Sequence, residues 1–294
     1  MPRASIIIPV YNEEDHIEGL CKSLQAQTLS DLEILIIDNE STDRTAEIAS
    51  KYFPIHRCEE RGSYAARNYG LELAKGDYYL FTDGDCILEP DWAQQLVASL
   101  DEGQDAVAGR TEVILERDGL LLKYLSHYLT IVLVTTSTGD NKECIFPTCN
   151  VGYKKELFER LGPFQVRTGG DVFFSNAVLA SGYKCKINSK ALVHHILSQG
   201  YRDVLIRYFR YGDAWHINIL GIIPAIFLLL LTPVIFLIII LNTLTFERVD
   251  PMTTDEKPRF LESVLKQLAE IIKYGTVAAG TIWYSIVGHR DRIF

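Results

Sequence analysis

The chain has 294 residues, 48% hydrophobic and 23% charged, a globular composition that fits one large domain or two modest ones. A formal net charge of −9 argues against a nucleic-acid polymer as partner, because binding a phosphate backbone needs a basic face. Six cysteines (Cys21, Cys58, Cys86, Cys144, Cys149 and Cys185) form no CxxC pair, which excludes zinc-site spacing and disfavours a disulfide framework.

Met1 to Ala4 run straight into a strand, so no signal peptide is expected ahead of the fold, and reduced thiols in a cytosol-facing protein are the simplest account of the cysteines. Ser5 to Val10 is a β-branched run of the kind that forms a buried strand. The acidic residues of Tyr11-Asn12-Glu13-Glu14-Asp15 suit a helix N-terminus, and Ile17, Leu20 and Leu24 then recur at helical spacing. Leu32 to Ile37 forms a second strand ending at Asp38, and Ser41-Thr42-Asp43 supplies a helix N-cap. A short strand from Ile55 to Cys58 leads through Arg61-Gly62-Ser63 into a helix carrying Ala65, Ala66, Arg67, Asn68 and Gly70.

The fourth strand, Tyr78 to Asp83, is aromatic and apolar, and then meets Asp83-Gly84-Asp85. In an open α/β sheet, ligands bind beyond the carboxyl ends of the strands, so Asp83 and Asp85 are delivered into the crevice. Two carboxylates so close repel each other and call for a cation, and Mg²⁺ or Mn²⁺ often joins carboxylates to substrate phosphates. Gly84 permits a tight turn and close ligand approach. The alternative is an Asp-Gly turn after a core strand. Pro90-Asp91-Trp92 opens the next helix. The strand-helix alternation predicts a Rossmann-like, mostly parallel α/β sheet with helices on both faces.

Four segments in order now resemble glycosyltransferase family 2, whose catalytic domain has the GT-A fold. They are Pro9-Val10-Tyr11-Asn12-Glu13-Glu14, Asp38-Asn39-Glu40-Ser41-Thr42-Asp43, Ala66-Arg67-Asn68-Tyr69-Gly70 and Asp83-Gly84-Asp85. The resemblance covers roughly residues 4 to 212. It implies a catalytic domain over 1–212, with a nucleotide-sugar half to about 110 and an acceptor half over about 111–212. It also implies roles for single residues. Asp38 would accept the imide N–H of the nucleotide base and Arg67 would donate to a base carbonyl. That pairing suits uracil; guanine presents the same pattern, so a GDP-sugar remains open, while adenine and cytosine do not fit. Pro9, Tyr11 and Glu13 would line the nucleotide crevice. Asp83 would lie near ribose and metal, and Asp85 would hold the metal bridging the diphosphate, whose charge offsets that growing on the leaving group.

On the acceptor side, Leu120 to Val134 is apolar enough for a helix. Asn150, before a strand, resembles a family acceptor contact; alternatively it stabilises a turn. Gly169-Gly170-Asp171 precedes a helix expected over Val172 to Ser181. Family members usually show Glu-Asp here, the Asp being the catalytic base. Gly170 stands in place of the Glu, Phe173 where a second acidic residue often falls, and Asp171 at the base position. The departure touches acceptor positioning rather than the presence of a base. The mechanism implied is inverting: Asp171 takes the proton from an acceptor hydroxyl attacking C1. A hydroxyl acceptor needs a base, whereas a lipid phosphate is already an anion, which tilts the reading toward a lipid-linked saccharide. The alternatives are a polyprenyl-phosphate sugar synthase and an inactive nucleotide-sugar-binding scaffold in a membrane complex. In the closing strand Ala191 to His195, alternation puts His195 on the face of Ala191 and Val193, where family members often carry a histidine near the metal.

Tyr201 to Trp215 mixes Arg202, Arg207 and Arg210 with aromatics, which suits a membrane surface, and Arg207 and Arg210 could hold donor or lipid phosphates. Residues 213–294 are expected to form a membrane-anchoring helical region. The charge-free stretch 219–241 is long enough to span a bilayer. A second span is placed at about 266–287, returning His289-Arg290-Asp291-Arg292 to the cytoplasm. The catalytic half would then face the cytoplasm at the cell membrane, as in cell-envelope glycan assembly.

Overall fold

A computed structural model describes residues 1–116, 146–165 and 169–197. An eight-stranded sheet is laid out in the order β3-β2-β1-β4-β7-β6-β8-β5. Its centre is β1 (Ala4–Val10), buried along its whole length because both neighbours and both faces cover it. Beside it run β2 (Leu32–Asp38) and β4 (Tyr78–Phe81), both parallel to it, and β3 (Ile55–Arg57) extends the parallel half beyond β2. β7 (Val151–Lys154) pairs antiparallel with β4 and with β6 (Ala106–Leu115). β5 (Cys86–Leu88) pairs antiparallel with β8 (Cys185–Leu197).

Alternating side chains of β1 feed two cores. Ile6 and Ile8 pack with Ile17, Leu20 and Leu24 of α1 (Ile17–Gln25) and with Trp92, Leu96 and Leu100 of α4 (Trp92–Asp101). Ile7 faces the other way, into Ala66 of α3 (Ser63–Leu73), Leu157 of α5 (Lys155–Leu161), and Phe174 and Val178 of α6 (Gly170–Ala180). This two-sided burial explains why β1 is a continuous apolar run rather than an alternating one.

The expected α/β sheet with helices on both faces is present, with two differences. Only β3, β2, β1 and β4 are mutually parallel; from β7 onward the described pairings are antiparallel. Helix α2 (Thr45–Ala49) begins later than the Ser41-Thr42-Asp43 cap predicted. Asp43 still receives the freed backbone N–H of Thr45, at 2.9 Å, and a second from Glu14, so the carboxylate joins two loops as well as starting a helix. Among the described residues no helix is long and apolar enough to cross a membrane. The expected spans at 219–241 and 266–287 lie outside the described residues, as do Arg207 and Arg210.

Candidate functional site

The parallel strands end on one edge, and the loops beyond them carry most of the expected donor residues. Val10 and Asp38 are register partners at the last rung of β1 and β2, and the Asn39 N–H donates to the Val10 carbonyl at 2.9 Å. Asp38 is buried, with one oxygen accepting from the Ser41 N–H. Tyr11 stands exposed just past β1. Pro9 is buried inside β1, opposite Ile37, one residue before the strand end.

Asn39 was quoted in the sequence motif without a role. Its amide donates to the carbonyls of Cys58 and Glu60, and its oxygen accepts from the Gly62 N–H at 2.7 Å. These three bonds tie the end of β2 to the loop that launches α3, and so aim Arg67. The buried Arg67 guanidinium donates to Asp83, one residue beyond Thr82 at the end of β4. Its Nε is buried with no hydrogen-bond partner among the described residues, a donor with unspent capacity beside the crevice. Burial works against this charge, but Asp83, Tyr64 and Asp171 outweigh it and keep Arg67 protonated.

A dense acidic corner lies beside that pair. Burial, with Asp85 and Asp83 adding repulsion, pushes the Glu13 carboxyl up to about 7, against the pull of its hydrogen bond to His16. Gly84 does its work by packing: a Cβ there would stand 3.0 Å from Glu13 Cγ and 3.2 Å from Val10 Cγ1. Asp85 approaches His195, Oδ2 to Nε2, at 3.1 Å. The pairing of β5 with β8 makes this contact, since Cys86 is opposite His195 and the Ile196 N–H donates to the Asp85 carbonyl. His195 shares the buried face of Ala191 and Val193, as alternation predicts. Asp85, Cys86 and His195 offer ligand atoms all within 4.8 Å of one another.

Asp171 sits in the first turn of α6, where the helix's free N–H groups and dipole favour a carboxylate, and its Oδ1 accepts from the Val172 N–H at 2.9 Å. Burial raises its pKa; Tyr64, Arg67 and that N–H pull it back, and Asp83 pushes it up further. The helix itself is anchored by Phe174, whose ring stacks on Phe158 at 4.5 Å and meets Phe164 at 4.9 Å and Tyr153 at 5.3 Å. Asn68 forms a two-way bridge to Phe164, Nδ2 to the carbonyl and Oδ1 from the N–H, so α3 is tied to the segment before α6. Helix α3 thereby faces both ways: Arg67 to Asp83, and Tyr64 and Asn68 to Asp171 and Phe164.

Asn150 does not join this constellation. It is fully buried, its oxygen accepting from Trp92 Nε1 at 2.8 Å and its amide donating to the carbonyls of Arg110 and Ala191. The expected acceptor contact is therefore corrected: these bonds lock α4, β6 and β8 together in the interior. Residues missed by sequence reasoning are Asn39, Asn68 and Tyr64. The two asparagines lie within the quoted motifs, but their partners are 19 to 96 positions away, and nothing local announces them.

Comparison with known proteins follows the same outline. Residues 5–162 match the family model described as "Glycosyl transferase family 2". The chain is similar to Glycosyltransferase AglE of Haloferax volcanii, 30% identical over 224 residues that cover 72% of each protein. It is also similar to the GalNAc(5)-diNAcBac-PP-undecaprenol beta-1,3-glucosyltransferase of Campylobacter jejuni, 31% identical over 43% of each. Among solved structures, the mannosyltransferase PcManGT from Pyrobaculum calidifontis, in complex with GDP-Man and Mn²⁺, aligns with a TM-score of 0.56 at 19% identity over 98% of this chain and 76% of that one. S. aureus TarS 1-349 in complex with UDP-GlcNAc aligns with a TM-score of 0.55 at 18% identity, over 97% and 91%. At such identities the structural likeness speaks for the fold alone.

Proposed function

The chain belongs to glycosyltransferase family 2, and from that premise we propose an inverting, metal-dependent transfer of a sugar from a UDP-sugar to a hydroxyl of a lipid-linked saccharide. A GDP-sugar is the second donor. The setting is glycan or polysaccharide assembly at a membrane, with 1–212 as catalytic domain and 213–294 as anchor, because 219–241 is free of charge and long enough to span. The named substrate of the Campylobacter relative, an undecaprenol-linked saccharide, supports the acceptor class. The complexes of the structural neighbours support a nucleotide-sugar donor, with UDP in one and GDP in the other.

The observation that carries the reading is the double reach of α3. One helix places Arg67 against Asp83 at the strand ends and Tyr64 beside Asp171, so the strand-end acidic pair and a raised carboxylate lie close enough to act on each other. An inverting transfer needs that arrangement: a leaving group held on one side of C1 and a base for the incoming hydroxyl on the other. Asp38 and the free Nε of Arg67 would take the base of the nucleotide. Asp171, its basicity raised by burial, would remove the hydroxyl proton as the new C1–O bond forms and the bond to diphosphate breaks.

The residues fit a divalent cation. Asp85 and His195 supply an oxygen and an imidazole nitrogen 3.1 Å apart, and the Glu13 carboxyl, lifted to about 7 by burial first and by Asp85 and Asp83 after it, adds a third acidic group to the same corner. The Cys86 thiol, raised by burial with Asp85 adding, is a soft donor poorly matched to a hard cation such as Mg²⁺ or Mn²⁺. A bound Mn²⁺ or Mg²⁺ would offset charge on the departing diphosphate.

The test is a panel of UDP- and GDP-sugars offered to the full-length protein with lipid-linked saccharide or bare polyprenyl phosphate as acceptor. Transfer to the saccharide, lost in Asp171→Asn, is expected. A product labile to mild acid and built on the bare phosphate would favour a polyprenyl-phosphate sugar synthase instead. Binding of donor with no transfer to either acceptor would favour an inactive scaffold.

A further inference from the structure

We infer that Tyr64 is a positioning residue for the Asp171 carboxylate, and that residue 170 is glycine because the Tyr64 ring fills the space a side chain there would need. This rests on the reading of Asp171 as the base. A Cβ built on Gly170 would stand 2.9 and 3.0 Å from Tyr64 Cδ1 and Cε1, and 2.7 Å from the Gln165 carbonyl oxygen. All three distances lie below normal van der Waals contact, and the carbonyl belongs to backbone that cannot rotate aside. The first turn of α6 can therefore approach α3 only with hydrogen at this position.

Tyr64 is itself held in place from two sides. Arg67, one turn further along α3, stacks its guanidinium 5.1 Å from the ring centroid, and Phe164 packs at 5.7 Å from another element. The phenol faces Asp171, and burial with the neighbouring carboxylate keeps its proton well beyond the usual range, so it acts as a donor. Among the described residues the charged and titratable groups facing Asp171 are Tyr64 and Arg67 from α3, Asp83 from the strand-end loop, Tyr153 from β7 and Cys149 just before it. Tyr64 is the one whose hydroxyl bonds the carboxylate while its ring lies against Gly170 in the first turn of α6. A carboxylate on a helix N-terminus has two free rotors; the Val172 N–H on Oδ1 and the Tyr64 hydroxyl together restrict them.

The experiment is Tyr64→Phe in the full-length protein, which keeps ring, stack and packing and removes only the hydroxyl. Steady-state kinetics with UDP-sugar and lipid-linked saccharide, against wild type and Asp171→Asn, supply the readout. Losing a hydrogen bond to a charged group predicts kcat down by about ten- to a hundredfold. Donor KM and UDP affinity should stay unchanged, and the acidic limb of kcat/KM should move to higher pH because the hydroxyl lowers the Asp171 pKa. Wild-type kcat and an unmoved limb in Tyr64→Phe, beside an inactive Asp171→Asn, would overturn the inference alone. Full activity in Asp171→Asn would remove the base itself, and the inference with it. Gly170→Ala gives a second check: it should lower kcat by displacing Tyr64, and combining it with Tyr64→Phe should cost less than the product of the two single losses. Full additivity would contradict a shared target.

Discussion

The two halves of this sheet build a site in opposite ways. On the parallel side, β1, β2 and β4 finish along one edge, and Asp38 and Asp83 are presented by the backbone itself. On the antiparallel side, the key carboxylate is set by packing: Asp171 depends on α6, α6 on Phe174 and its aromatic neighbours, and the carboxylate's surroundings on α3. Strand ends fix the proposed donor corner at positions that survive changes of side chain. Helix packing sets the proposed acceptor corner, where the glycine at 170 and the tyrosine at 64 meet.

The most damaging way to break the comparison is at the base. Asp171→Asn should cut kcat by about 10² to 10⁴, the usual worth of general-base catalysis, while calorimetry finds UDP affinity within a few-fold of wild type. Equal loss of binding and turnover would mean the two corners are not separable. The pH profile follows in sign: as the proposed base Asp171 would work deprotonated, and burial raises its pKa, so activity should fall with decreasing pH earlier than for an ordinary carboxylate.

The donor corner has its own counterpart. Chelation, or Asp85→Ala, should slow transfer on the order of 10³-fold, several kcal/mol of charge stabilisation. Added Mn²⁺ should restore the chelated wild type and not the variant. Restoration in both would take Asp85 out of the metal site.

How much of this was legible beforehand differs between the halves for a physical reason. A buried parallel strand advertises itself as a β-branched or aromatic run, and its last residue marks where a ligand can sit, so Asp38, Asp83 and Asp85 could be placed from the sequence. His195 followed from simple alternation. Asn150 did not: an asparagine before a strand looks like a turn residue, and only the fold reveals that Trp92, Arg110 and Ala191 surround it. Tyr64 was invisible because the residue it serves lies over a hundred positions on, and what the missing Glu at 170 meant could not be read without knowing what stood in its place.

Two smaller effects sharpen the contrast. Phe174→Ala should destabilise the protein by about 3–5 kcal/mol in chemical denaturation, the cost of emptying a buried aromatic position. If α6 is held as described, the residual folded protein should bind UDP normally and turn over poorly. Asn68→Ala removes both bonds to Phe164 and should cost about 1–3 kcal/mol. Its kinetic signature should fall on kcat rather than donor KM. A loss confined to donor KM would assign Asn68 to the nucleotide side.

The most direct measurement is the anomeric configuration of the first-formed product, read by NMR against that of the donor sugar. A single displacement assisted by Asp171 inverts C1, so a donor of one configuration must yield a product of the other. Retention of configuration would contradict the account, because it would require a second displacement or a front-face path for which Asp171 has no part as described.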